Sequence, residues 1–306
     1  MSVLGLGLAA LGRPGYINLG HGADVRDATV DGMEQAAHAV LDAAHAGGIR
    51  HFDAARSYGR AEAFLGSWLA RRRFAPGDLT ISSKWGYRYT AGWRVDSEHH
   101  EIKELSAAQL RRQWPETRAL LGDHLDLYQI HSATLESGVL DDPEVRRELA
   151  SLRAGGVRVG VSVTGDRQAE TVDRAVETGA FDAVQATWNL HERSAGDALA
   201  RAAAAGMVVY VKEALANGRL TDRGGNAELA AAAADRGTGP DAIALAAALA
   251  QPWAGVVLSG AATVEQIEAN LRARDVGWDA ELDERLAVLA EPPGPYWAAR
   301  GELPWN

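Results

Sequence analysis

Eight short apolar runs punctuate the 306 residues, at positions 3–7, 49–54, 79–84, 125–131, 157–163, 183–188, 207–212 and 255–260. Each is continuous rather than alternating, which is how strands read when both faces of a parallel sheet are covered by helices. The segments between them carry helical signals. Asp142 precedes Pro143 as an N-cap ahead of a first-turn proline, and the helix it opens stops at Gly155 and Gly156. Thr263 opens another helix directly after the last run, and residues 31–48 form a third. Eight strands alternating with about eight helices define an α/β chain, either a closed barrel or an open doubly wound sheet. The count favours the (β/α)8 TIM barrel, which spans ~250 residues or more as a single domain and so accounts for residues 1–306 without a second unit.

Composition removes several alternatives. With 47% apolar and 24% charged residues the chain is globular, not disordered. Its net charge of -10 repels phosphate backbones, so nucleic acid is not an expected partner. There are no cysteines, which removes disulfides, thiolate metal sites and thiol nucleophiles. His99 and His100 have no partner at metal spacing and read as surface residues, so no metal site is expected. The longest apolar stretch, 242–250, is well short of the ~20 residues that cross a bilayer. The N-terminus lacks the features of a signal peptide, which gives a cytoplasmic expectation. From about 292 a run of prolines with Trp297 and Trp305 reads as an extended C-terminal segment laid over the fold. Pro115 interrupts the helix expected before the fourth run, so that helix is either broken or begins late.

In a barrel of this type the reactive groups stand at the C-terminal ends of the strands. Asp53, Lys84 and His131 close three successive runs, and Tyr58 follows Asp53 by five residues. Each alone has an ordinary structural explanation; together they form an acid catalyst. A tyrosine hydroxyl titrates near ~10, and a neighbouring cation such as Lys84 lowers that value. Asp53 would keep a buried Lys84 charged, and His131 would orient a carbonyl oxygen. Such a site protonates an oxygen, and because no side chain donates hydride, a redox cofactor is implied.

With these residues in place, the chain resembles the aldo/keto reductases. The resemblance rests on His51-Phe-Asp53-Ala-Ala-Arg-Ser-Tyr58-Gly59, on Ser83-Lys84-Trp85-Gly86, on Leu125-Asp126-Leu127-Tyr128-Gln129-Ile130-His131, on Gly160-Val161-Ser162, and on Ser259-Gly260 with Thr263, Gln266 and Asn270. It extends over nearly the whole chain. It implies a (β/α)8 barrel that reduces an aldehyde, ketone or aldose with NADP(H) bound outside any Rossmann domain. Tyr58 would be the general acid, Lys84 and Asp53 would tune it, and His131 would position the carbonyl.

The resemblance also implies that Ser162 and Gln185 hold the nicotinamide carboxamide, that Gln266 and Asn270 meet the adenine, and that the backbone from Gly260 to Thr263 receives phosphate at a helix N-terminus. Two departures stand out. Val163 replaces the usual Asn after the Ser, and the seventh run ends Lys212-Glu213-Ala214-Leu215 where relatives place a stacking aromatic. Lys212, with Leu215, is expected at the cofactor, its stem against the ring; an internal ion pair is the alternative. Gly260 stands where relatives often carry a basic residue for the 2'-phosphate, which leaves NAD(H) open and turns attention to Arg272 or Arg274. Trp85 and Trp188 are the expected aromatic wall of the substrate site, and the long loop 12–22, with Arg13, Tyr16, Asn18 and His21, is a further rim element. The expected partner is a small carbonyl or alcohol, with oligomeric state left open. The rival functions are an NAD-dependent aldose dehydrogenase working in the oxidising direction and a non-catalytic cofactor-sensing subunit.

Overall fold

The computed structural model describes residues 2–306. Ten strands occur: β1 (Val3–Gly7), β2 (His51–Asp53), β3 (Thr80–Trp85), β4 (Tyr87–Tyr89), β5 (Glu101–Lys103), β6 (Leu125–Ala133), β7 (Arg158–Val163), β8 (Ala183–Thr187), β9 (Val208–Lys212) and β10 (Val256–Ser259). Eight of them close a parallel barrel in the order β1-β10-β9-β8-β7-β6-β3-β2, each coinciding with one of the eight apolar runs. Closure is made by β1 against β10, with Val3 opposite Val256 and Leu6 opposite Ser259. The remaining pair, β4 and β5, is an antiparallel hairpin between β3 and the next helix, with Tyr87 opposite Lys103. The sequence reading did not foresee it, because both strands are three residues long and polar.

Side chains alternate across a strand, and here the alternation sorts function from packing. Outward positions such as Leu4, Phe52, Ile81, Tyr128, Val161 and Val209 join the large core between barrel and helices. Inward, Leu127, Ala183, Tyr210, Val256 and Leu258 form a separate inner cluster. Two to four residues further along the same faces the inner surface turns polar, at Asp53, Lys84, Gln129, His131, Ser162, Gln185 and Lys212. The barrel is therefore plugged below and reactive above.

The helix ends follow the expected capping. Asp142 accepts from the backbone of Glu144 and Val145 and starts Pro143–Ala154; Thr263 accepts from Gln266 and starts Val264–Leu271. Pro115 does not break its helix, Ala107–Leu121. It lies on the exposed face, so the Arg111 carbonyl it leaves without an intrahelical donor also faces solvent. The C-terminal segment differs from expectation. Residues Pro293–Gly301 are helical, with Pro292 as N-cap and Pro293 in the first turn, where a missing N–H costs nothing. Only the residues after it are extended. His100 is buried, its ring stacked on Trp305 at 3.9 Å between centroids, so it is not the surface residue expected. No helix among the described residues is long and apolar enough to cross a membrane.

Candidate active site

The upper rim brings the four predicted residues together. Asp53 ends β2, Lys84 lies one residue from the end of β3, and His131 stands on β6. The loop after β2 carries Tyr58 back over them: Ala54 and Arg56 donate to the carbonyls of Ser82 and Lys84, so the chain stays paired with β3 before it turns. Close approach fixes that turn. A Cβ on Gly12 would stand 2.1 Å from the Tyr58 carbonyl oxygen, and one on Gly59, at φ +60°, would stand 2.3 Å from the Gly12 carbonyl oxygen. Only glycine lets loop 12–22 press against the tyrosine.

Lys84 Nζ donates to Asp53 Oδ2, to the Ala54 carbonyl at 3.0 Å and to the Tyr58 hydroxyl at 3.4 Å. Asp53 Oδ1 also accepts from Ser82 Oγ at 2.6 Å and from Gln129 Nε2 at 3.2 Å. His131 Nε2 lies 3.5 Å from the Tyr58 hydroxyl, and its Nδ1 lies 3.5 Å from Ser57 Oγ. Behind this set Glu62 takes hydrogen bonds from Ser83 Oγ at 2.6 Å and Thr117 Oγ1 at 2.9 Å and pairs with Arg56, which locks the strand bearing Lys84.

The electrostatics differ in one respect from the expectation. Tyr58 is held well above its ordinary value, by burial first and the Asp53 carboxylate second, against the nearby Arg13 guanidinium. Lys84 does not reverse this, because its charge is met directly by Asp53. The tyrosine therefore stays protonated at neutral pH. Burial, then Lys84, Lys212, Arg13 and Lys103, push His131 well below its ordinary value, so its imidazole is neutral.

From Tyr58 a cleft of about 440 Å³ runs between β1, β9 and β10 to the helix Val264–Leu271. Gln185, Lys212, Leu215, Gly260, Gln266 and Asn270 line it. Ser162 and Thr263 do not: the Ser162 hydroxyl accepts from the Ser132 N–H at 2.8 Å, and the Thr263 hydroxyl is used as the helix cap. The amide of Gln185 is buried with no partner on its Nε2, a donor suited to a carboxamide oxygen. By contrast, Asn270 is already bonded to Ser259 and Asp241, and Gln266 to the Ala262 N–H and to Asp24. Arg272 lines the cleft, is exposed and has no carboxylate partner among the described residues; Arg274 turns away to the Gly47 carbonyl. Asp24, the last residue of the short helix His21–Asp24, lines the same cleft and pairs with Arg223 at 2.5 Å.

Trp85 and Trp188 are not brought to the cleft. Trp85 is one residue beyond inward-facing Lys84 and so faces the helices, with no exposure. Trp188 lies three beyond Gln185, on the outward register, and packs on Trp253 at 5.8 Å. The rim is built instead from Tyr87, from Arg13 of the loop expected there, and from Lys212 with Glu213 and Arg300. Tyr87 from the hairpin lies 4.8 Å from the His131 ring, centroid to centroid. Arg13 is buried, with its guanidinium 5.2 Å from the Tyr58 ring and 2.5 Å from Glu101. Lys212 donates to Thr187 Oγ1 at 2.8 Å and sits 3.8 Å from Glu213, which in turn binds Arg300 of the C-terminal helix. Tyr296 and Arg300, four apart, share a helix face, the one signal that could have marked that tail as helical.

A parallel barrel with its ionisable groups gathered at the strand ends beside one long cleft is the layout of a barrel enzyme. Residues 4–286 match the model of the aldo/keto reductase family. The chain belongs to that family. Its fold resembles that of the aldo-keto reductase AKR11C1 from Bacillus halodurans in its holo form, with TM-score 0.72 and 22% identity over 94% of this chain and 92% of that one. The glycerol dehydrogenase AKR11B4 from Gluconobacter oxydans gives TM-score 0.70 and 22% identity, over 94% and 90%. In sequence, 115 residues are 33% identical to the protein named uncharacterized oxidoreductase YqkF of Bacillus subtilis, covering 36% of this chain and 34% of that protein. The match therefore spans about a third of that relative's length.

Proposed function

We propose that the protein is an NADP(H)-dependent reductase of aldehydes, ketones or aldoses, in which Tyr58 protonates the carbonyl oxygen. The observation that carries this reading is the Tyr58 hydroxyl lying between Lys84 Nζ at 3.4 Å and His131 Nε2 at 3.5 Å, beside a cleft of about 440 Å³ that reaches the helix Val264–Leu271. When bound, the nicotinamide supplies the hydride. Gln185 would hold its carboxamide through the unpartnered Nε2, Ser162 would act only from outside the cleft by holding the Ser132 backbone, and the stem of Lys212 with Leu215 would cover the ring. Gly260 and the backbone towards Thr263 would meet the pyrophosphate, Gln266 and Asn270 the adenosine, and Arg272 the 2'-phosphate.

Tyr58 holds its proton because burial and Asp53 disfavour the phenolate. It releases the proton only when the substrate oxygen gains charge, while Lys84 stands in reach to stabilise the resulting phenolate. His131, neutral, would donate its ring N–H to the carbonyl oxygen and fix it without exchanging charge. Asp53 keeps Lys84 charged in a buried place. The Asp24 carboxylate bonded to Gln266 favours a second reading of the cofactor, NAD(H), since an acidic group beside the adenosine ribose suits a free 2'-hydroxyl.

Tyr58→Phe tests the assignment. Quenching of tryptophan fluorescence by NADPH should persist, while turnover falls by about 10²-fold or more; undiminished turnover sinks it. Comparing quenching by NADPH and NADH decides between the two cofactors.

A further inference from the structure

The chain carries ten more acids than bases, yet the charge around Tyr58 has the opposite sign. Five cations gather there. Lys84 is matched by Asp53 and Arg13 by Glu101. Lys212 and Arg300 share the single carboxylate of Glu213. Lys103, on the hairpin strand β5, has no carboxylate partner among the described residues; its Nζ donates to the Ser132 carbonyl at 2.8 Å and lies 5.7 Å from the Tyr87 ring centroid. Glu136, the acid nearest in charge to Lys103, is itself bonded to Arg167 at 2.8 Å. Three carboxylates thus face five cations, and Lys103, the one with no carboxylate of its own among the described residues, stands beside Tyr87 and His131 and not among the residues that line the cleft.

Lys103 is also tied to the reacting centre. Tyr87 spans the gap between it and His131, whose ring is 4.8 Å away. Ser132, the residue after His131, adopts φ +53°, held by Lys103 on its carbonyl and Ser162 on its N–H. A non-glycine residue in that region persists only when its surroundings over-determine it, and such positions concentrate at functional sites. Lys103 is exposed, so its two remaining ammonium protons are open to a ligand.

We infer that the substrate is an anionic carbonyl compound, an aldehyde or ketone with a carboxylate or phosphate group that Lys103 binds while the carbonyl oxygen meets Tyr58 and His131. This deepens the reductase reading and rests on it. Arg13 and Lys84 are spent on their own carboxylates, so Lys103 is the group that selects the anion, with the cation left over at Glu213 behind it.

The test compares matched pairs with wild type, Lys103→Met and Lys103→Arg. The pairs are 4-formylbenzoate against the neutral 4-formylbenzamide, and glyceraldehyde 3-phosphate against glyceraldehyde. Wild type should prefer at least one anion over its neutral partner by about tenfold or more in kcat/KM, declining with added salt. Lys103→Met should bring that ratio to about one, and Lys103→Arg should restore most of it. The pair that shows the preference identifies the anion. Equal kcat/KM within both pairs, or a preference that survives Lys103→Met, overturns the inference. Binding of terephthalate and terephthalamide, followed by tryptophan quenching, gives a readout independent of turnover: the dianion should bind about tenfold more tightly, and equal binding overturns the inference. If no carbonyl compound is reduced while this preference persists and depends on Lys103, the reductase reading fails and the anion site stands.

Discussion

Arg300, on the C-terminal helix, grips Glu213, the residue after β9, with two nitrogens, Nη2 at 2.5 Å from Oε1 and Nε at 2.9 Å from Oε2. The pair fastens the last helix onto the rim of the barrel and places Trp297 under both Arg300 and Lys212, with cation-to-centroid distances of 5.3 and 5.6 Å. Burial alone would raise the Glu213 carboxyl, but Arg300 and then Lys212 hold it at about 2. A carboxylate depressed on folding stabilises the protein above its ordinary value of 4.5 and loses that contribution as pH falls towards 2.

Removing one partner leaves the other charge partly buried, so Arg300→Met should cost about 3 kcal/mol in chemical denaturation at pH 7. The cost should shrink between pH 4.5 and pH 2, since Glu213 is then neutralised in both states. A cost independent of pH would mean that packing on Trp297, not charge, holds the helix.

Asp53→Asn removes the only carboxylate bonded to Lys84, a side chain with 1% of its surface exposed. The ammonium is left with the Ala54 carbonyl and the Tyr58 hydroxyl. Stability should drop by about 3–5 kcal/mol, and kcat should fall by about 10²-fold. Urea denaturation and initial rates on one aldehyde measure both; a variant as stable as the wild type would show that the Asp53–Lys84 pair makes no net contribution to stability.

Lys212 is lowered to about 8, by burial first, against the pull of Glu213. Between pH 8 and its ordinary 10.5 the unfolded chain binds the proton and the folded one does not, so wild-type stability gains over this window. Lys212→Met has no such gain. Melting curves at pH 7 and pH 10 should show the difference between wild type and variant moving in favour of the wild type by about 2 kcal/mol. An unchanged difference would place the lysine in water.

Arg272 is the one exposed arginine on the cleft without an acidic partner among the described residues. If it meets a 2'-phosphate, Arg272→Ala should weaken NADPH by about 10- to 100-fold and NADH by less than about threefold, the range of a charge-assisted hydrogen bond. Equal losses for the two cofactors would assign the phosphate elsewhere.

The barrel was legible because each strand is a dense apolar run, and the gathering of Asp53, Lys84 and His131 at one rim because polar residues closing such runs face the barrel interior. The tryptophans misled for the same geometric reason: one position of offset along a strand turns a side chain to the other face, and Trp85 is one beyond Lys84. What the sequence could not display was long-range pairing. Arg13 with Glu101, Asp24 with Arg223 and Glu213 with Arg300 join segments 87 to 199 residues apart, and nothing local to either partner announces the other. The hairpin β4–β5 was missed because three-residue polar strands are defined only by the rim they cover.

The seam between β1 and β10 has a consequence for how the molecule comes to life. Asp53, Tyr58, Lys84 and His131 all precede residue 132, whereas the strand that seals the barrel is Val256–Ser259. Contacts so distant along the chain are slow to form. During synthesis these four residues therefore exist for more than a hundred residues of elongation on an unclosed sheet, with two unpaired edges and no groove beside it. Competence arrives late and all at once, when the first strand finds the last.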